Sequence, residues 1–530
     1  MHRLTYEECE QLIMAGAVTK PDADISGIGV ILAFLISAYV SFAVVLGAYA
    51  FGVIEPELLS PADTRIMRIK SRIHRHPILH RVLQHTILVL SDQQIVTGIA
   101  IMAAGFVGLR NGETSVYHYQ VVLYLAWLAS SVHLSALTLL RPFMTTHPAV
   151  RAWRLGGMVV LFLMLVIGLV PTVSFDWGII NISEPGDTEI SEDEPTGWGI
   201  PARCFWGRTY GDGVNNDAPI GYVLLLVSYI WKVGDMFAST RRLYGLGFRG
   251  PVVRGIEFVL SVPARRYRQT RRKRYLWWFR LLLVPSVPAI AMMEFLRSFS
   301  ASLWISLWGL IFGTIQVVIP RQQNLLQTGS KEEEWGFSQL VALILLVQPL
   351  GAITEHIWIR HPQNEARNSI GEASFLDENE RVQNQSLADN NLGPSRKDNS
   401  ALIEVLGRVK SSRGPGMSKR LDSNITEIVL SSKVGVVLLL LIQLTLVGGT
   451  SVILLFDAWS VGSVRGQNWQ WAVTALIFYV GSSWLATLFA SPFSRLGKDY
   501  RHHQNGVDNT TSEANLYQEH DTKLQELGET

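Results

Sequence analysis

Nine long apolar runs dominate this chain of 530 residues and limit what it can fold into. A helix that crosses the roughly 30 Å hydrocarbon core of a bilayer needs about 20 mostly apolar residues. Charged residues make up only 17% of the chain, against about 25% in soluble domains. The sequence therefore predicts an all-α, polytopic transmembrane helical bundle, with spans at 28–54, 87–109, 121–140, 155–175, 220–238, 303–319, 340–353, 434–456 and 471–490.

The distribution of Lys and Arg predicts the orientation of the bundle, because short cytosolic loops carry an excess of these residues. Basic residues are concentrated at 55–86, 141–154 and 239–298, whereas the loop 177–219 and the N-terminal segment 1–25 are acidic. We therefore expect the N-terminus outside, in a lumen or the extracellular space, and the C-terminus in the cytosol. Plasma membrane and endomembrane both fit this pattern. The first apolar run is too long for a signal peptide and follows an acidic flank, so we expect an uncleaved anchor.

A further apolar stretch, 276–296, decides the number of spans. It contains Pro285 and Pro288 and follows the basic sequence RRKRY. If this stretch crosses the membrane, the bundle has ten spans. If it lies in the cytosolic interface, the bundle has nine spans, and the basic start of the C-terminal tail 491–530 is cytosolic. We expect about nine spans, within a range of eight to ten. The alternative is a crossing that the prolines kink. Arginines beside tryptophans suit a helix at headgroup level, so the expected partners are the bilayer and, at 241–280, anionic lipid headgroups.

Two polar segments lie in the last third of the chain. Residues 356–433 and 491–530 are poor in aromatic residues and rich in Asn, Ser and Glu, a composition that does not bury enough apolar surface to fold alone. We predict disordered cytosolic segments there, with 356–433 able to bind cytosolic proteins. The first part of the bundle covers 26–320. An outer loop and span seven follow at 321–355, and the last two spans lie at 434–490.

The predicted outer side carries two features of secretory proteins. Cys9 and Cys204 both fall there and could form a disulfide in that oxidising space, although two unpaired thiols would be equally ordinary. Asn181 begins a glycosylation sequon, N-I-S, on the acidic outer loop, which predicts a glycoprotein. The net charge of +2 gives no reason to expect a nucleic acid partner.

Polar residues inside the spans are the candidate functional residues, because ionisable side chains in a membrane are costly and usually face the bundle interior. Spans two and three are joined by a short loop, so Asp92 and His133 could meet. A histidine beside a carboxylate exchanges protons near physiological pH. The competing interpretation is a hydrogen-bond network that holds the spans together. Lys232 and Asp235, three apart, could neutralise each other. The full candidate set is Asp92, Gln93, Gln94, His133, Lys232 and Asp235.

Motifs for known chemistry are missing from the sequence. It contains no nucleotide-binding loop, no HExxH, no GxSxG and no Asp-rich prenyl-diphosphate motif. Two carboxylates and a histidine could also bind a metal, but nothing in the sequence fixes their geometry, so we expect neither a metal nor a cofactor. An enzyme is therefore the less favoured class, although catalytic residues remain unassigned.

The motifs LSDQQIVTGIAI and YHYQVVLYLAWLASSVHLSALTLLR resemble a family of uncharacterised multi-pass membrane proteins of filamentous fungi. The resemblance continues in SLWISLWGLIFGTIQVV and covers most of the spans. It implies the membrane class and, because that family has no assigned activity, no catalytic residues. His118 and His133 lie within the resembling motifs, as do Asp92, Gln93 and Gln94.

Three functions compete at this stage. A membrane sensor or scaffold would engage cytosolic proteins or anionic lipid through the basic loops and polar segments. A transporter for protons or a small solute would use the intramembrane polar residues. A membrane-embedded lipid- or terpenoid-modifying enzyme would use Asp92 and His133 as acid and base. The sequence favours the sensor or scaffold, because the motifs and internal repeats that mark the other two classes are missing.

Overall fold

A computed structural model describes residues 5–65, 67–174, 176–178, 195–206, 217–270, 272–328, 335–347 and 437–448, with a few single positions beyond them. These residues form helices joined by short turns, and no strand is named among them. The sequon at Asn181, the polar segments 356–433 and 491–530, and almost all of the run 471–490 fall outside the described residues.

The described helices are numbered in chain order. In chain order they are α1 Tyr6–Ala15, α2 Ala23–Ser26, α3 Ile28–Ala50, α4 Pro61–Arg65, α5 Pro77–Asn111, α6 Val116–Thr146, α7 Pro148–Gly168, α8 Asp217–Met236, α9 Ala238–Leu243, α10 Gly250–Thr270, α11 Lys273–Leu296, α12 Phe299–Thr328, α13 Phe337–Leu345 and α14 Val437–Gly448. A π-helical turn, Tyr244–Arg249, joins α9 to α10.

Six of the described helices are long and apolar enough to cross a membrane. They are Ala23–Ala50, Pro77–Asn111, Val116–Thr146, Pro148–Gly168, Lys273–Leu296 and Phe299–Gln322. By length and composition these helices support the membrane class of the protein, whereas they do not confirm a count of about nine spans. The stretch 276–296 belongs to a continuous helix in spite of its two prolines.

The helices extend beyond the apolar runs, so two of the predicted loops are much shorter than expected. The prediction placed a cytosolic loop at 141–154, but α6 continues to Thr146 and α7 begins at Pro148. The loop 55–86 likewise ends where α5 begins, at Pro77. Proline is favoured at the first position of a helix because its missing N–H would have no partner there. The sequence prediction followed hydrophobicity, which ends before the helix does.

Helix α6 is the axis of the bundle. Its residues from 116 to 137 are all buried. Five helices surround it, in the order α3, α5, α7, α8 and α12, and each contacts α6 and the next helix of the ring. Glycines allow close approach: a Cβ on Gly105 would lie 2.6 Å from Val122, and one on Gly313 would lie 2.7 Å from Trp127. Within the described residues, a packed helix therefore occupies the centre of the bundle.

One end of the bundle, which we call the outer end, is closed by a small cap. Cys9 of α1 and Cys204 are joined by a disulfide. Ala17 and Thr196 are paired by two backbone hydrogen bonds. The Val116 amide donates to the Ile200 carbonyl, which connects the cap to the start of α6. The N-terminal segment and the loop after α7 therefore fold together.

The opposite end, which we call the basic end, is held by one buried carboxylate. Asp63 of α4 accepts hydrogen bonds from the Tyr49 hydroxyl at 2.8 Å, the Ser60 hydroxyl at 2.8 Å and the Phe299 amide at 2.9 Å. The Ser300 amide also donates to it, at 3.4 Å. A carboxylate at a helix N-terminus satisfies free N–H groups and interacts favourably with the helix dipole. Asp63 thus fastens the end of α3 to the beginning of α12.

Helices α10 and α11 form an antiparallel hairpin beside the ring. Arg249 donates to Glu294 at 2.6 Å where the hairpin begins and ends. Its inner face packs with α14 and with Ala62 into a second hydrophobic core that includes Leu260, Val287 and Leu439. This core extends along α11 from Phe295 as far as Phe279.

Candidate functional site

Polar side chains of α5, α6 and α7 meet inside the bundle in what we call the Arg154 cluster: Ser91, Asp92, Gln94, His133 and Arg154. His133 of the central helix faces α5, where its Nδ1 lies 2.6 Å from the Ser91 hydroxyl. Its Nε2 has no hydrogen-bond partner among the residues that the structure describes. Both side chains are buried.

The charged part of the cluster is an ion pair between α5 and α7. Arg154 Nη2 lies 2.7 Å from Asp92 Oδ1, with the arginine 0% exposed and the aspartate side chain 40% exposed. The same guanidinium donates to the Leu88 carbonyl at 2.9 Å. Its Nε and Nη1 have no hydrogen-bond partner within the described part of the chain. A buried charge with incomplete hydrogen bonding is costly.

Asp92 and His133 were expected to meet, but the structure gives each of them a different partner. Asp92 binds Arg154, and His133 binds Ser91. Arg154 was missed because it adjoins an apolar run and was assigned to the basic loop 141–154. Its position six residues after Pro148, a residue typical of helix starts, was the signal that could have placed it inside α7.

The two glutamines of α5 reach different neighbours. Gln94 donates to the Ser37 hydroxyl of α3, and its Oε1 is a further buried atom without a hydrogen-bond partner among the described residues. Gln93 donates to the Leu345 carbonyl of α13 at 3.1 Å. Ser37 lies about 14 Å from the start of α3 and about 20 Å from its end, at 1.5 Å per residue. The cluster is therefore close to the middle of the bundle.

A second polar site surrounds Lys232 between α6, α8 and α12. The buried ammonium donates to Thr138 Oγ1 at 2.7 Å, to the Ser302 carbonyl at 3.0 Å and to the Ser302 hydroxyl. Asp235, which was expected to neutralise it, instead forms an ion pair with Arg141 at 2.5 Å. A cavity of about 10 Å³, roughly room for one water molecule, adjoins the lysine and is lined by Ser130, Ser131, Ser228 and Ser306 among others.

A third polar cluster lies at the outer end. Glu332 is buried and lies 3.3 Å from His118 Nε2 and 3.1 Å from the Tyr117 hydroxyl, with Arg321 at 3.8 Å. Burial alone would raise the pKa of Glu332, but hydrogen bonds from His118, Ser26 and Tyr117 and the charge of the imidazole outweigh it and lower this pKa. The cluster joins α6 to the segment after α12.

Of the three polar sites, the Arg154 cluster has the largest number of buried polar atoms without a hydrogen-bond partner among the described residues. Lys232 has three hydrogen bonds, which satisfy its three N–H groups. In the Arg154 cluster five buried atoms lack a hydrogen-bond partner among the described residues, namely His133 Nε2, Arg154 Nε, Arg154 Nη1, Gln94 Oε1 and Asp92 Oδ1, the last of which belongs to the ion pair. The cluster at the outer end also contains such atoms, among them Arg321 Nη2. Each such atom costs about 1–3 kcal/mol, which water, a proton or a small polar solute would relieve. No group of three or more metal-binding side chains occurs in the described ranges.

Comparison with known proteins places this chain beside two fungal relatives. It is 40% identical over 125 residues to Elsinochromes biosynthesis cluster protein HP3 of Elsinoe fawcettii, a match that covers 23% of this chain and 48% of the relative. It is 22% identical over 263 residues to Elsinochromes biosynthesis cluster protein HP2 of the same fungus, covering 41% of this chain and 65% of the relative. The chain thus spans about half the length of the first relative and less than two thirds of the second.

No protein-family model matches the chain, and no solved structure matches it. The fungal origin of both relatives agrees with the resemblance to fungal membrane proteins. These relatives belong to a secondary-metabolite biosynthesis cluster, which leaves a transporter or an enzyme open and gives the sensor or scaffold interpretation no support.

Proposed function

We propose that this protein is a membrane transporter that moves a small ionisable product of a biosynthesis cluster, with the Arg154 cluster as its solute or proton site. The observation that carries the proposal is the buried guanidinium of Arg154, held by Asp92 near the middle of the bundle, with two of its nitrogens unpartnered among the described residues. A buried charge of this kind is expensive in a membrane protein and typical of solute pathways and proton relays.

The arrangement of the cluster supports transport in a specific way. Asp92 is partly exposed, whereas Arg154 and His133 are buried behind it. An anionic group of a solute could replace Asp92 as the partner of Arg154, and the released carboxylate could then take up a proton. Since α6 fills the centre of the ring, the solute path would run between α5, α6 and α7.

The enzyme alternative loses the contact on which it depended. It used Asp92 as the acid and His133 as the base of one reaction, and these side chains bind different partners. A transporter needs no such contact, because protonation and solute binding can occur on neighbouring groups. We therefore place the transporter before the enzyme.

We also propose that the outer end faces a lumen or the extracellular space. The disulfide between Cys9 and Cys204 supports this orientation, because disulfides form and persist in oxidising compartments. The basic loops lie at the opposite end, beside Asp63 and the start of α12, as expected for a cytosolic face. Thiol labelling of intact and permeabilised cells after reduction tests the orientation.

One experiment separates transport from catalysis. Metabolites of a deletion strain are measured separately in the cells and in the medium, by untargeted mass spectrometry. Retention inside the cells of a compound that the wild type releases supports transport. Loss of the compound from both fractions supports an enzyme, and an unchanged profile overturns both proposals.

A matched pair of variants then tests the site itself. The strain is complemented with Arg154→Met or with Arg151→Met, a control in the same helix whose guanidinium lies over the Phe237 ring at 6.0 Å. We expect the control to restore release and Arg154→Met to fail while reaching the membrane in equal amount. Restoration by both variants would show that Arg154 is not part of the transport site.

A further inference from the structure

We propose that the α10–α11 hairpin does not cross the membrane, and that its tip lies in the headgroup layer at the basic end and binds anionic phospholipid. This inference is independent of the transported solute. It concerns a part of the protein that lies outside the helix ring.

Both ends of the hairpin lie at the same end of the bundle. Arg249 and Glu294 form an ion pair at 2.6 Å, which fixes the start of α10 beside the end of α11. Five residues later the Phe299 amide is bound by Asp63, the residue that anchors the basic end. A segment that leaves and returns at one end makes an even number of crossings. Either both helices cross the membrane or neither does.

Helix α10 is poorly suited to cross. It carries an exposed Arg254, a buried Glu257 and an exposed Arg266, with Pro263 in its second half. Each charge near the middle of a bilayer costs about 2.5–3.5 kcal/mol on insertion scales. Helix α11 by itself is long and apolar enough to cross the membrane. If it crossed, however, α10 would have to cross as well, because both ends of the hairpin lie at the same end of the bundle. The pair therefore stays on one side of the membrane.

The register of the hairpin places apolar and basic residues at defined levels. Because Arg249 lies beside Glu294 in an antiparallel pair, Val262 is level with Leu281 and Arg266 is level with Trp277. The side chains of these four residues are exposed, Trp277 by 60%. Beyond this level the turn carries the exposed residues Arg272, Lys273 and Arg274.

The tip therefore has an apolar layer below a basic one. Trp278 extends the apolar layer and is itself half exposed, with its ring in edge contact with that of Trp277. Tryptophans at the boundary of the acyl chains, with arginines just above them, are typical of helices that lie in the membrane interface. The second core around α14 packs against the hairpin as far as Phe279, the residue next to Trp278.

Charge identifies the ligand as anionic lipid. The stretch from Phe258 to Leu281 contains eight Lys and Arg residues and no Asp or Glu. Each basic residue near an anionic membrane surface contributes about 1 kcal/mol, or about a fivefold preference, which falls with salt. A zwitterionic headgroup offers no such gain. Both ends of the hairpin lie at the basic end, which fits contact with the cytosolic leaflet, where anionic lipids are concentrated.

The test uses a fluorescent label on the tip of the full chain. The two natural cysteines are paired with each other, so Gln269→Cys provides a unique thiol at an exposed position. The labelled protein is reconstituted in phosphatidylcholine, alone or mixed with phosphatidylserine, with a quencher attached to the lipid headgroups. We expect stronger quenching in the mixture, and we expect added salt to remove the difference.

Charge variants provide the control. Arg272→Glu/Arg274→Glu should abolish the phosphatidylserine dependence, with about a fivefold loss of lipid preference for each arginine. Lys20→Glu/Arg110→Glu, which reverses exposed charges at the outer end, should leave it unchanged. Equal quenching in both lipids, or quenching insensitive to salt and to the tip variant, would overturn lipid binding. A label accessible only from the outer side would show that the hairpin crosses and would also overturn the proposal.

Discussion

The ion pair between Asp92 and Arg154 predicts an asymmetric response to mutation. Asp92→Asn leaves the guanidinium of Arg154, which is 0% exposed, without its counter-charge. Removing one partner of a buried ion pair costs about 3–5 kcal/mol. Because the aspartate side chain is 40% exposed, we expect the lower part of that range, about 3 kcal/mol.

The reverse substitution should be much milder. Arg154→Met removes a buried charge of which two nitrogens have no hydrogen-bond partner in the described structure. It leaves a carboxylate that can become neutral by taking up a proton, whereas a guanidinium cannot lose its proton. Replacing buried ionic groups by apolar ones of similar volume is often neutral or stabilising. We therefore expect a loss of at most about 1 kcal/mol.

Thermal unfolding in one detergent, followed by tryptophan fluorescence, ranks the stabilities of the two single variants and of the double variant. The double variant Asp92→Asn/Arg154→Met should be more stable than Asp92→Asn alone, because it removes the orphaned charge. This non-additivity is the signature of direct coupling. Equal losses in the two single variants, or additive losses in the double variant, would refute the argument that burial of Arg154 controls the energy of the pair.

Three further predictions concern the two ends of the bundle. Asp63→Asn should lower stability by about 2–5 kcal/mol in the same unfolding assay, because it leaves buried N–H and O–H donors unpaired, whereas the partly exposed Asp235→Asn should cost less than about 1 kcal/mol. The lowered pKa of Glu332 predicts that its ionised form stabilises the fold fully at neutral pH, and that this contribution to the free energy of unfolding is lost as the pH falls through that pKa. Glu332→Gln should therefore flatten the dependence of the unfolding temperature on acidic pH. An unaltered pH profile would contradict this role. Cys9→Ser/Cys204→Ser should lower the unfolding temperature, since the disulfide links residues that are 195 positions apart and such links contribute about 2–5 kcal/mol to stability. If the reduced and non-reduced wild-type proteins had the same mobility on a gel, the disulfide would not have formed.

Local sequence patterns predicted the features that depend on a single helix, namely its presence and where it starts. The apolar runs around residues 28–54 and 121–140 correspond to α3 and α6, because about 20 apolar residues in a row have few alternatives to a membrane helix. Prolines 77 and 148 mark helix starts that hydropathy alone places too late. The polar start of the run 87–109, LSDQQ, was correctly identified as unusual, although its partners were not.

Partners could not be predicted because they depend on the rotation and depth of separate helices. Asp92 and Ser91 are adjacent in α5, yet they point to α7 and α6 respectively. Lys232 and Asp235 lie one turn apart in α8, yet one binds Thr138 and Ser302 and the other binds Arg141. Spacing within a helix gives the side chains a common face, but it does not determine which neighbour packs against that face.

The sequence by itself thus determined that this is a helical membrane protein, with basic residues concentrated at one set of connections and costly polar groups within its apolar segments. Those properties depend on the local composition of each segment, because composition decides whether a segment is more stable in lipid or in water. Only the tertiary structure decided that α6 is enclosed by five helices, that Arg154 is a buried partner of Asp92, and that α10 and α11 return to the same end. Each of these depends on contacts between residues far apart in the chain, which packing determines for all helices at once.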